Sequence, residues 1–276
     1  MNDSAQPLIS IVTAVRNGLP FLVDTLESVA HQDYPAKEHW VIDGGSTDGT
    51  TALIRQREAS LAGWVTEPDS GIAEAFNKGL ARARGDYVMF LNADDALASP
   101  SALAALVAGA RERNWPAVVF GDCDLVDRKT GEFLYRYIYH FSRRRFLRFS
   151  IPPHPGMLMH RRFFERFGRF DTSFRIAMDY ELQLRGFPEI EPVRVPVLVT
   201  RVRTGGMSAL DPILAVDESV RALRITGHVR PGFQEMRIRL YYRMRFAARR
   251  TLGFLGLYES FVALRQRIAR WRAGTP

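Results

Sequence analysis

Residues 8–14 (LISIVTA) form an apolar run without charge, the pattern of a strand buried on both faces. Over 19–31, Leu22, Leu26 and Val29 recur at helical spacing and predict a helix. The same reading predicts strands over 39–42 and 64–66 and helices over 50–58 and 70–84, the last with Ile72, Ala73, Phe76 and Leu80 on one face. Residues 87–91 (YVMFL) read as a central strand, 101–113 as an Ala/Leu-rich helix and 117–120 as a further strand. Strands alternating with helices predict an α/β fold whose mostly parallel sheet is flanked by helices on both faces. From about residue 128 the pattern changes. Residues 131–141 alternate as an exposed strand or hairpin, 143–148 are basic, and PPHPG at 152–156 is a loop. Helical signals return over 161–167 and 179–185, a late strand over 192–202, and a loop over 204–208.

The acids fall at predicted strand ends. Asp43 closes the second strand, Asp69 follows the third, Asn92, Asp94 and Asp95 close the fourth, and Asp122 and Asp124 close the next. Ligands of open α/β sheets sit at the carboxyl ends of strands. Acids gathered there repel one another unless a cation or a hydrogen-bond donor relieves them. Each also has a plain local use. Asp43 suits a tight turn, Asp69 or Ser70 suits the cap of the next helix, and Asp94 and Asp95 suit a solvated loop.

Composition adds one asymmetry. Net charge is +8, yet residues 230–276 hold 11 Arg against 2 Glu, leaving 27 basic and 28 acidic side chains in the first 229. The body is neutral and the tail is basic, which points the tail at an anionic partner. No basic leader and no spanning apolar stretch stands out, and the single cysteine, Cys123, has no internal partner for a disulfide. The expected location is cytoplasmic, including the periphery of the membrane's inner face.

Four separated blocks resemble the inverting glycosyltransferases of family 2: SIVTAVRNGLPFLVDTLESVAHQDYP, VIDGGSTDGT, EPDSGIAEAFNKGLARARGDYVMFLNADD and HPGMLMHRRFFERFGRFDTSFRIAMDYELQLR. The resemblance covers about residues 7–208 and implies a GT-A fold, Rossmann-like, that binds a nucleotide-sugar. It divides the chain into a catalytic domain over 1–208, with a donor half to about 127 and an acceptor half from 128, and a helical basic extension over 209–276. In that family an Asp at the second strand end receives the nucleotide base. Asp43 matches it, with Gly44 and Gly45 admitting the nucleoside, Thr13, Ala14 and Arg16 walling the pocket, and Asp69 close to the donor. Asn92-Ala93-Asp94-Asp95 matches the D-x-D region with Asn in the first place. It implies Mn²⁺ or Mg²⁺ on Asp95, with Asp94 as a second ligand or at the ribose. Asp179 matches the general base, with Glu181 as its substitute, and His154 falls on the acceptor side. Arg201, with Arg203, falls near the diphosphate.

The implied reaction moves a sugar from a nucleoside-diphosphate sugar, UDP-sugar first, to a glycan or lipid-linked hydroxyl. A nucleotide-sugar-forming nucleotidyltransferase is the alternative, but AVRNGLP has too few Gly and basic residues to cradle a triphosphate. Nucleic-acid binding through the Arg-rich tail is a third reading, with no basic face in the body to support it. In the tail, Met236, Leu240, Met244 and Ala247 share one helical face, and Leu264, Ile268 and Trp271 repeat the pattern. That suits an anionic membrane surface, or else a helical pair packed on the domain or on a second subunit, equally.

Overall fold

The computed structural model describes residues 6–19 and 21–254. The predicted pattern around Leu264 lies outside them. The first half alternates strand and helix: β1 (Ile9–Val15), α1 (Leu22–Ala30), β2 (Lys37–Asp43), α2 (Thr50–Gln56), β3 (Gly63–Thr66), α3 (Ile72–Arg82), β4 (Tyr87–Asn92), β5 (Ala96–Leu97) and α4 (Ala102–Glu112). The second half runs β6 (Val118–Val126), β7 (Phe133–Tyr137), α5 (Arg143–Phe146), β8 (Met157–His160), α6 (Arg161–Phe167), α7 (Met178–Gly186), β9 (Val193–Arg203), α8 (Met207–Leu210), α9 (Pro212–Ile225) and α10 (Phe233–Phe254).

The strands make one mixed sheet in the order β3-β2-β1-β4-β8-β6-β9-β5, with β7 hairpinned onto β6. Pairing is parallel from β3 through β2 and β1 to β4, and again between β6 and β9. Strand β8 runs antiparallel between β4 and β6. Two antiparallel steps restore direction, so β1–β4, β6 and β9 all end at one edge of the sheet.

The strand period sorts the core. Val12, Ala14, Val88 and Phe90 face Ala73, Phe76 and Leu80 of α3. Ile9, Ile11, Met89 and Leu91 face Leu103, Leu106 and Ala110 of α4. A central strand buried on both faces has no position for a charge, hence the uninterrupted apolar runs. The C-terminal extension joins this core, because Ala222, Leu223 and Val229 pack into the α3-side cluster.

One strand is longer than predicted. The sequence predicts a strand over 117–120 with Asp122 and Asp124 at its end, yet β6 continues to Val126. Arg194 of β9 forms a two-nitrogen pair with Asp122, at 2.8 and 2.6 Å. Arg136 of β7 does the same for Asp124, at 2.7 and 3.1 Å. Paired in this way, the two acids are ladder residues rather than part of a strand-end site.

Candidate active site

The edge where six strands end carries the candidate residues in two groups. The first is built by the loops after β1 and β2. Asp43 is fully buried; its Oδ1 accepts from the Ser46 N–H at 3.1 Å and the Ser46 hydroxyl at 2.5 Å, and its Oδ2 from the hydroxyls of Thr51 at 2.9 Å and Thr66 at 2.6 Å. Asp48 accepts from the Thr50 N–H and hydroxyl and from the Leu19 N–H, bonds that hold its carboxyl below the usual range. Asn17 takes a hydrogen bond from Thr47 N–H and gives its own N–H to Ser46. The stretch VIDGGSTDGT is therefore a tied platform, and its hydroxyls and acids lock the two loops together. Its glycines have separate reasons. Gly45 and Gly49 stand at φ +79° and +96°, a region costly for residues with a Cβ. Gly44 makes room for Asp69, whose Oδ2 lies 2.5 Å from the point a Cβ would occupy.

These contacts revise three expectations. Asp43 is enclosed by donors, so Asp69 is the half-buried carboxylate of this corner. Burial raises Asp69, a hydrogen bond from the Gly71 N–H lowers it, and exposed Arg16 is among the charges acting on it. Thr13 is not a pocket wall, since it is fully buried and bonds His39 across the sheet at 2.9 Å. The missing Cβ of Gly44 makes room for the Asp69 carboxylate. Ala14 lies in the α3-side core, and Ala93 packs against the cluster of Val15 and Leu22.

The second group forms around the β4–β5 turn. Asp95 is 2% exposed. It accepts from the Asn92 amide at 2.9 Å and the Arg203 N–H at 3.2 Å. Burial, and then the charge of Asp94, push its carboxyl up to about 7. Asp94 is the open member of the pair, with Arg128 Nη1 at 2.5 Å from its Oδ2. Arg203 donates to the Asp94 carbonyl at 3.0 Å and to Asp24 at 2.5 Å. Both guanidiniums lie over the Phe21 ring, at 4.6 Å for Arg128 and 4.9 Å for Arg203.

Register explains which arginine arrives. Ala96 pairs antiparallel with Arg201, which puts Arg203 opposite Asp94 beyond the end of β5. Arg201 itself is exposed beside Asp124 of β6. Arg128 was missed because the β6 strand was read as ending early. Continued to Val126, that strand delivers Arg128 to the same edge, and this was the available signal. Asp95, favoured from sequence as the metal ligand, is a buried support, while Asp94 presents the accessible carboxylate.

A third group lies on the α3 side of the sheet. Asp179 is in the first turn of α7, and its Oδ1 accepts from the Tyr180 N–H at 2.7 Å. No other hydrogen bond is made by this carboxylate among the described residues. His154 stacks on Phe90 with ring centroids 5.7 Å apart and stands edge-on to Phe170. Both its ring nitrogens are buried without partners among the described residues. Burial lowers its imidazole, and the charge of Asp179 acts in the opposite direction. Glu181, the substitute base, is buried and paired with Arg185 at 2.9 Å, which removes it from that role.

The model of Glycosyl transferase family 2 matches residues 10–168. The chain belongs to glycosyltransferase family 2. An uncharacterized glycosyltransferase of Mycobacterium tuberculosis is 32% identical over 208 residues, 75% of this chain and 79% of that one. The PGL/p-HBAD biosynthesis glycosyltransferase of Mycobacterium bovis is 28% identical over 200 residues, 71% of this chain and 74% of that one. Among solved structures, S. aureus TarS 1-349 in complex with UDP-GlcNAc superposes with a TM-score of 0.66 at 16% identity, over 79% of this chain and 65% of that one. The mannosyltransferase PcManGT of Pyrobaculum calidifontis, in complex with GDP-Man and Mn²⁺, gives 0.63 at 19%, over 95% and 81%. As a family 2 glycosyltransferase the chain has the fold of these GT-A enzymes. The family model stops at residue 168, so Asp179, Arg203 and everything beyond come from the part it does not reach.

Proposed function

We propose that this glycosyltransferase carries out an inverting transfer from a nucleoside-diphosphate sugar, UDP-sugar first, to a glycan or lipid-linked hydroxyl. The observation that carries the reading is the β4–β5 turn. There the accessible carboxylate of Asp94 pairs with Arg128, while Arg203 bonds the Asp94 main-chain carbonyl and Asp24, at the edge where the strands end. Diphosphate leaving groups gain negative charge as the sugar bond breaks, and in this reading the neighbouring Arg128 and Arg203 offset that charge. Asp69 and Arg16 serve the nucleoside end of the donor.

Among the described residues the second oxygen of Asp179 makes no hydrogen bond, which leaves it for an acceptor hydroxyl. Its carboxylate takes the hydroxyl proton while that oxygen bonds the anomeric carbon from the face opposite the diphosphate. The bond from that carbon to the diphosphate oxygen breaks with its electron pair, so configuration inverts. His154, whose ring nitrogens are buried without partners among the described residues, borders this side as part of its wall.

A divalent cation fits this donor set. Mg²⁺ or Mn²⁺ needs only one or two carboxylates when phosphate oxygens and water complete its shell. Asp94 is the residue that would hold it, with Asp95 as the buried support. When bound, the cation would neutralise charge on the departing diphosphate. Among the described residues no cluster of three His, Cys, Asp or Glu offers an all-protein cage.

A membrane role is supported by α10. Ile238 packs against the core, and the Tyr242 ring lies tilted against Phe149 while its hydroxyl donates to the Arg148 carbonyl. The opposite face carries exposed Phe233, Met236, Leu240 and Met244. An apolar stripe among arginines suits an anionic membrane surface, at the cytoplasmic face in this reading. No helix of the described residues is long and apolar enough to cross a membrane.

The deciding experiment follows thermal stability with UDP, GDP, dTDP and CDP, with and without Mn²⁺. A metal-dependent rise with one nucleotide, lost in Asp94→Ala, supports the reading and names the base. No rise with any nucleotide would end it.

A further inference from the structure

Helix α9 lies beyond the residues that the family model matches, and it carries a buried carboxylate. Glu218 is 6% exposed. It forms no ion pair among the described residues. Instead it accepts three backbone hydrogen bonds from consecutive residues. Oε1 takes the Arg175 N–H at 2.8 Å. Oε2 takes the Ile176 N–H at 2.8 Å and the Ala177 N–H at 2.9 Å. These amides lead directly into α7, whose N-cap is Ala177 and whose first-turn acid is Asp179. Ala177 has no side-chain oxygen with which to cap its own helix. One turn further along α9, Arg221 donates to the Ser173 carbonyl at 3.1 Å and its hydroxyl at 2.7 Å, and lies 4.4 Å over the Phe174 ring. The opposite side of α9 is fixed in turn by Val220 and Leu223, both fully buried.

We infer that Glu218 is a positioning residue for the proposed base. It clamps residues 175–177 from outside α7 and thereby sets where the Asp179 carboxylate points. The inference rests on the reading of Asp179 given above. Three reasons favour a positioning role over a simple cap. A helix start can be capped by a neighbouring Ser, Asp or Asn at far lower conformational cost than by a glutamate more than 40 positions away. A buried carboxylate is retained only where charge-assisted bonds compensate its lost hydration, and here every bond goes to one three-residue segment. That segment sits two residues ahead of the only α7 carboxylate not committed to a side-chain partner, since Glu181 is taken by Arg185. A displacement of about 1 Å at a reacting group costs about 100-fold in rate, so a rigid anchor here has kinetic value.

The test is a double-mutant cycle with Glu218→Gln and Asp179→Asn. The probes are UDP-GlcNAc and GDP-mannose with water as acceptor, read as nucleoside diphosphate released by the full chain. Glu218→Gln should lower kcat about 10- to 100-fold and leave the donor KM within about twofold. In the Asp179→Asn background the same substitution should change residual turnover less than about twofold, because its effect passes through Asp179. Equal losses in both backgrounds would overturn the inference while leaving Asp179 as base. Full turnover by Asp179→Asn alone would overturn the base itself, a distinguishable result. If Glu218→Gln does not fold, Glu218→Asp takes its place, keeping the charge with a shorter reach. Amide exchange gives a reading independent of turnover. The amides of Ile176 and Ala177 should be protected in the wild type and exchange faster in the variant. Protection unchanged by the substitution would remove the clamp.

Discussion

The Asp69 carboxylate fills the space that a Cβ on Gly44 would need: Oδ2 lies 2.5 Å and Cγ 2.9 Å from that point. Gly44 is not among the residues with positive φ, so alanine suits its backbone. Gly44→Ala should therefore fold and act by swinging Asp69 away. Nucleotide-induced stabilisation should fall about as far as in Asp69→Ala, with little further loss in the double variant. Additive losses would separate the two residues. Gly45→Ala, at φ +79°, should instead cost about 1–2 kcal/mol of stability.

The two acids of the β4–β5 turn should part company on substitution. Asp94 and its partner Arg128 are both only partly buried, so Asp94→Ala should cost under about 1 kcal/mol of stability. It should nonetheless abolish the Mn²⁺-dependent part of nucleotide stabilisation. Asp95→Ala strands the Asn92 amide and the Arg203 N–H and should cost about 1–3 kcal/mol. Urea midpoints beside the nucleotide titrations measure both. Loss of the Mn²⁺ response in isosteric Asp95→Asn, with Asp94→Ala unaffected, would reverse the assignment.

Burial holds the His39 imidazole at about 3, against 6.5 for an open histidine. The folded chain thus refuses a proton that the unfolded chain accepts. Above pH 6.5 neither state is charged and the contribution is complete. As pH falls from 6.5 towards 3, the unfolded state gains the proton first, and stability drops by up to about 1.4 kcal/mol per pH unit. His39→Gln keeps a polar partner for Thr13 and does not titrate. The wild-type stability advantage over this variant should shrink between pH 7 and pH 4. A difference constant with pH would exclude His39 as the cause.

On α10, Met236→Ser, Leu240→Ser and Met244→Ser together alter the exposed face and spare Ile238 and Tyr242. The folded chain should keep its melting temperature and lose co-sedimentation with phosphatidylglycerol vesicles, with phosphatidylcholine vesicles as the control. A shortened chain ending at residue 229 is the wrong comparison, because it removes core contacts of Ile238. Equal sedimentation of variant and wild type would end the membrane reading. A concentration-dependent mass lost in the variant would identify a second copy as the occupant.

The order of strands and helices was legible in the sequence because periods of 2 and 3.6 are local properties of burial. So was the placing of Asp43, Asp69, Asn92, Asp94 and Asp95 at strand ends, where glycines and turn residues mark the exits. Which of these acids faces solvent was not legible, because exposure is decided by groups distant in the chain. Asp43 is enclosed by Thr66, 23 positions away, and Asp95 is capped by Arg203, 108 positions away. Asp122 and Asp124 read as acids at a strand end, yet Arg194 and Arg136 pair with them inside the ladder. The sequence alone determined the family and the edge at which the chemistry is built. Only the tertiary structure decided which carboxylates are supports and which are open, because a carboxylate's surroundings are set by long-range packing.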